Sequence, residues 1–184
     1  MKNAILFLLL LLVTFLTLVF QELVPPFFIF GGARLQLIPM LFCLGAIVFN
    51  FPLMIVLAFC TGSLLDLMQM QIVGNSPEIA FGVGILYFLI TGSVCQGLRP
   101  LFFQGAWWIF PLITALATWV LPLLQFVLIS FRRFEASGLQ WSPDVLWRIL
   151  MPGIIAACIA PCFLYLFYVL GAKLKKSDKE VLFQ

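Results

Sequence analysis

Long apolar blocks separated by brief clusters of proline, glycine and polar residues set the pattern of this chain. A helix crosses a bilayer with about 20 apolar residues, and the blocks are of that order. The first, residues 4–20, follows Met1 and Lys2. It exceeds the apolar core of a signal peptide and no small-x-small cleavage site precedes Gln21 and Glu22, so a retained first span is expected. Val24 to Gln36 is a connection punctuated by Pro25, Pro26, Gly31 and Gly32. Phe27, Phe28 and Phe30 keep it apolar enough to pack on other spans or lie in the interface. Leu35–Phe49 predicts a short second span with Pro39 near its start. Asn50, Phe51 and Pro52 then form a tight turn, so spans two and three should be antiparallel neighbours.

The third block, Phe51 to Gly74, carries Gly62 and Asp66 four residues apart, on one helix face. Gly62 and Ser63 allow another helix to approach closely. A carboxylate at this depth is costly in lipid and should face protein, water or headgroups. Asp66 is therefore either a boundary residue that caps or anchors a helix, or the partner of Arg34 or Arg148. Gly74-Asn75-Ser76-Pro77-Glu78 has the composition of a helix start: breakers, a capping serine, proline at the first position and an acid in the first turn. It predicts a fourth span over Ile79–Gln96, rich in small residues (Gly82, Gly84, Gly92, Ser93) and ended by Arg99-Pro100.

Gly105 opens the fifth span, with Trp107 and Trp108 as an interfacial belt. Pro111 and Pro122 are expected to kink it. Thr114, Thr118 and Gln125 share a face and form a candidate polar bundle interior, either bonding between helices or walling a polar cavity. Ser130–Asp144 is the long polar connection and holds Arg132, Arg133 and Glu135. Ser142-Pro143-Asp144 repeats the Ser-Pro-acid start. Val145–Leu170 is the last span, with Arg148 one turn in and Pro152-Gly153 and Pro161 inside, followed by Lys173, Lys175 and Lys176.

The expected fold is thus an all-α polytopic membrane protein with six transmembrane helices: one membrane domain over residues 1–176 and a polar tail over 177–184. Residues 180–184, EVLFQ, resemble the remnant of a viral 3C-protease tag-cleavage site and are left out of the functional reading. Six spans place both termini on one side with Lys2, Arg99, Lys173, Lys175, Lys176 and Lys179, against Arg34, Arg132, Arg133 and Arg148 on the other. The positive-inside rule then puts both termini in the cytoplasm.

Composition strengthens the membrane reading and narrows the chemistry. Of 184 residues 64% are apolar and 9% charged, with no histidine, and mean hydropathy is +1.20. Soluble domains carry about 25% charged residues. A net charge of +3, widely dispersed, gives no nucleic-acid footprint. Cys43, Cys60, Cys95, Cys158 and Cys162 all lie in apolar blocks and read as small buried hydrophobes rather than a zinc or disulfide framework. The chain carries no zinc-protease, nucleophile-elbow, phosphate-loop or dinucleotide motif. No catalytic residue, metal site or cofactor is expected, and the protein is read as non-enzymatic. A carrier would place several ionisable groups at mid-membrane, whereas Asp66 lies near a span end.

In this layout the chain resembles the MreD family of bacterial rod shape-determining proteins, over roughly Met1 to Lys176. The resemblance rests on the size, the six spans and an ordered set of short motifs: Gly32-Ala33-Arg34 before span two, Gly62-Ser63-Leu64-Leu65-Asp66-Leu67 in span three, a turn with Gly74, and a last span opening Arg148-Ile149-Leu150-Met151-Pro152-Gly153. Where the family turn is Arg-Pro-Asp-like, this chain has Arg34-Leu35-Gln36. The resemblance implies a multi-pass scaffold of the bacterial inner (cytoplasmic) membrane. Such a scaffold binds the bitopic protein MreC, and through it RodA, a class B penicillin-binding protein and MreB, helping to control peptidoglycan synthesis and rod cell shape. Gly62, Asp66, Arg34, Arg132, Arg133 and Arg148 are then candidate structural or partner-binding residues, with membrane lipid around them. As a runner-up, the fold also resembles the substrate-binding component of an energy-coupling vitamin transporter, which would make the chain a small-molecule-binding membrane subunit. That reading requires Thr114, Thr118, Gln125 and Asp66 to line one pocket.

Overall fold

Proline placement decides where several helices begin. Pro39, Pro52 and Pro143 each sit in the first turn of a helix, where a missing N–H costs nothing. The computed structural model describes residues 2–26, 32–69, 72–73, 76–77, 81–104, 108–137 and 143–181. Among them are six helices: α1 (Lys2–Leu23), α2 (Ile38–Val48), α3 (Phe51–Met68), α4 (Val83–Phe103), α5 (Ile109–Ser137) and α6 (Pro143–Val181). Two two-residue strands, β1 (Ile72–Val73) and β2 (Ser76–Pro77), pair antiparallel between α3 and α4, Ile72 opposite Pro77 and Val73 opposite Ser76.

Five of the helices, all but α2, are long and apolar enough to cross a membrane. This is a multi-pass, all-helical membrane architecture. The second expected span is the exception. α2 has 11 residues, about 16 Å at 1.5 Å per residue, against a hydrocarbon core of about 30 Å. It is also the most enclosed element: every residue from Ile38 to Ile47 is buried. Its Phe42 ring lies 4.7 Å from that of Phe88 on α4, and Met40, Met54 and Leu57 complete the centre. The outer face of α1, with Leu9, Leu12 and Leu16, is exposed, as lipid-facing residues should be.

A helix that stops inside a bundle leaves carbonyls that lipid cannot satisfy. Here Gln96 of α4 supplies the donors. Its Nε2 lies 2.6 Å from the Ala46 carbonyl oxygen and 2.8 Å from that of Phe49, and Arg99 Nη1 lies 3.5 Å from the latter. Gln96 therefore ends α2 from a neighbouring helix.

Several expected boundaries move. α4 does not start near Ile79: Ser76-Pro77 is spent in the short hairpin, and the helix begins after Gly82. Glu78 lies outside the described residues. Arg99-Pro100 does not end α4, which runs on to Phe103. α5 continues through Ser130 to Ser137, so the first half of the expected polar connection is helical. Pro111 is the third residue of α5, where no helical bond is lost, whereas Pro122 is internal. Trp108 is 68% exposed, in keeping with an interfacial position, and Trp107 lies outside the described residues. Cys43 and Cys95 are buried as expected, but Cys158 and Cys162 are exposed on the outer face of α6.

Candidate functional site

α4 begins at Gly82, whose φ of +102° favours glycine and whose missing side chain offers no cap. The cap comes from α3. Asp66 Oδ2 accepts from the Gly82 amide at 2.8 Å and Oδ1 from the Gly84 amide at 2.9 Å. Both carboxylate oxygens thus take up orphan N–H groups at the positive end of a helix. Such bonds to an ionised acceptor are shorter and about twice as strong as neutral ones. Asp66 is only 9% exposed, and this arrangement is what makes a carboxylate tolerable there.

The bridge requires α3 and α4 to touch along their backbones. A Cβ built on Gly62 would lie 2.5 Å from Ile85 Cα and 2.6 Å from Ile85 N; one built on Gly84 would lie 2.5 Å from Asp66 Oδ1. Only glycine fits at either place. The one-face pairing of Gly62 and Asp66 is thus realised: the glycine lets α4 in and the carboxylate holds its end. Of the two expected roles Asp66 takes the cap, with a backbone amide on each of its oxygens.

Arg34 pairs instead with Glu22 at the end of α1, Nη1 to Oε2 at 3.6 Å, with side chains 63% and 50% exposed. Arg148, exposed on the first turns of α6, lays its guanidinium over Gly32: a Cβ there would lie 3.5 Å from Nε and Nη2. Gly32 has φ +81°. The turn before α2 and the opening of the last span therefore meet. Gln125 on α5 donates to Gln69 Oε1 just beyond the end of α3. The Gln96 contacts lie at the opposite end of α2, so Glu22, Arg34, Asp66, Gln69 and Arg148 share one end of the bundle. Arg132 and Arg133 belong to the helical backbone of α5, but their side chains lie outside the described residues.

Thr114 and Thr118 are fully buried, as expected of a bundle interior. Their hydroxyls do not bond between helices. Thr114 Oγ1 donates to the Pro111 carbonyl at 2.9 Å and Thr118 Oγ1 to that of Thr114 at 2.7 Å, both within α5. Asp66, for its part, bonds the Gly82 and Gly84 amides. A cavity of about 400 Å³ lies instead between α4 and α5, lined by side chains such as Ile90, Val94, Leu98, Leu112, Leu116 and Val120. No group of three or more histidine, cysteine or acidic residues with metal-holding geometry occurs among the described residues.

Two features escaped the sequence reading. One is Gln96, whose signal was an amide side chain one turn before Arg99 inside an apolar block. The other is Trp119, whose Nε1 donates to the Leu150 carbonyl at 2.7 Å across the α5–α6 contact. Gly153 makes room for that indole, which any side chain would strike. No family model matches the chain, and no curated protein or solved structure matches it either.

Proposed function

We propose that the chain is a non-enzymatic membrane scaffold of the MreD type, seated in the bacterial inner membrane, which binds an MreC-like bitopic protein and helps control peptidoglycan synthesis and rod shape. The observation that carries this reading is the gathering of the resemblance motifs at one end of the bundle. The Gly32-Ala33-Arg34 turn lies under Arg148, the Gly62–Asp66 pair fastens the start of α4, and Arg34 is left exposed beside Glu22. The ionisable group closest to membrane depth is engaged by backbone amides, so its work is assembly. What remains accessible at that end is a charged surface suited to a protein partner.

In this reading the non-helical stretch 32–37, with Ala33 buried and Arg34 exposed, and α2 together make the sixth crossing. Both termini then face the cytoplasm, and the charged end, with the α5–α6 connection, faces outward. RodA, a class B penicillin-binding protein and MreB join through the bitopic partner. The small-molecule reading is less well supported, since Thr114, Thr118, Gln125 and Asp66 spend their polar atoms on separate structural bonds.

Co-expression with an MreC-like protein and purification in mild detergent tests the proposal. A stable complex that Arg34→Ala or Arg148→Ala weakens at least tenfold is the expected result. Reproducible absence of a complex, with both proteins folded and inserted, overturns it.

A further inference from the structure

α3 packs closely against α4, and α5 against α6, but between α4 and α5 the bundle is open. The opening is the cavity of about 400 Å³ already described, with Trp108, Ile109 and Leu101 at one end and Ile90, Thr91 and Val120 at the other. Its depth follows from the helices. Trp108 and Val120 are twelve positions apart, about 18 Å at 1.5 Å per residue, somewhat more than half of a hydrocarbon core of about 30 Å. The end marked by exposed Trp108 lies where an interfacial tryptophan belongs. Toward mid-membrane, Tyr87 crosses from α4 and donates to the Ala117 carbonyl of α5 at 2.5 Å, tying the helices together there. The groove therefore opens at the Trp108 end, and its lining runs past that tie to Val120.

We propose that this groove is a binding site for a single acyl chain of a membrane lipid, drawn from the leaflet on the Trp108 side. Its depth is somewhat more than that of one leaflet, and its lining is aliphatic apart from Thr91 and Trp108. A transmembrane helix of a partner would need a seam along the whole bilayer, and a polar solute would need converging donors and acceptors. A hydrocarbon chain needs neither. Each methylene seated against protein gains packing contacts that disordered tails make less completely. The inference is independent of the scaffold reading and survives its failure.

The test uses the full chain in vesicles of phosphatidylethanolamine and phosphatidylglycerol containing a small fraction of a phospholipid with a diazirine near its chain end. After illumination, labelled peptides are mapped by mass spectrometry. Val94, Leu112 and Leu116 are 48–51% exposed, and Leu9, Leu12 and Leu16 on α1 are 54–59% exposed. Passing lipid would label the two sets alike. A bound chain labels the α4–α5 set at least fivefold more. Val94→Trp, which fills the groove, abolishes that excess and leaves α1 labelling unchanged; if the variant does not fold, the ratio in the unaltered protein decides alone. Equal labelling of the two sets overturns the proposal. So does photo-crosslinking from groove positions, in native membranes, to a bitopic protein in place of lipid.

Discussion

Asp66 Oδ1 and the Gly84 amide nitrogen lie 2.9 Å apart, and a methyl group on Gly84 would occupy the space that oxygen fills. Cap and close approach are therefore one device. Asp66→Ala leaves the buried Gly84 amide and the half-buried Gly82 amide without this acceptor, a loss of about 1–3 kcal/mol for the buried group and less for the other. Asp66→Asn keeps the shape and one acceptor but loses the charge, so its effect should be about half as large. Unfolding in detergent, followed by circular dichroism, ranks the three proteins as wild type, Asn, Ala. Asp66→Asn should still insert into the membrane; an Asn variant as stable as wild type would reduce Asp66 to a boundary residue.

Two glycines on the α3–α4 pair separate packing from helix propensity. Gly62→Ala places a Cβ against the Ile85 backbone, which cannot swing aside as a side chain can. Overpacking of this kind costs about 1–3 kcal/mol. Gly97→Ala on α4 meets nothing within 4 Å and should be neutral, or stabilising by up to about 1 kcal/mol from helix propensity. Thermal melting of the two variants in parallel checks the contrast, and equal behaviour would refute the backbone contact.

Gln96 is the test of how α2 can stop where it does. Gln96→Leu keeps bulk but leaves the Ala46 and Phe49 carbonyls with only the long contact from Arg99. The expected cost is about 1–3 kcal/mol. It should be accompanied by faster labelling of a cysteine introduced at the exposed Asn50, as the α2–α3 junction loosens. An unchanged labelling rate would mean that the carbonyls find another partner.

The two Ser-Pro-acid clusters show how far the sequence was readable. Both have the composition of a helix start, and at Pro143 one occurs. At Ser76-Pro77 the chain makes a hairpin instead, because the amides that need capping are satisfied by Asp66, sixteen residues before Gly82 in sequence. A cap supplied by another helix leaves no mark in the local pattern. The pairing of Gly62 with Asp66 was readable because a helix turn brings residues four apart together, but their partners were not, because they are backbone groups. Likewise Pro39 and Pro52 bracket a short α2 in sequence, while its support by Gln96 depends on how α4 is seated. On α5 Thr114 and Thr118 are buried and Gln125 half-buried, and the two hydroxyls turn back on carbonyls of their own helix, which spacing alone does not distinguish from a bond across helices.

Arg34 separates folding from recognition. Its pair with Glu22 is exposed on both sides and 3.6 Å long, and such surface pairs contribute about 0–1 kcal/mol. Arg34→Ala should therefore leave the melting temperature within about 4 °C of wild type, as a change of that size allows for a domain of this length. If the charged end is the docking surface, the same substitution lowers capture of an MreC-like partner at least tenfold. Asp66→Ala should lower melting and capture together, since it loosens the helix end on which that surface is built. An Arg34 variant that melts and binds as wild type would remove this end of the bundle as the site of docking. One that melts early would show that the arginine serves the fold, because a surface pair of this geometry has too little energy to do both.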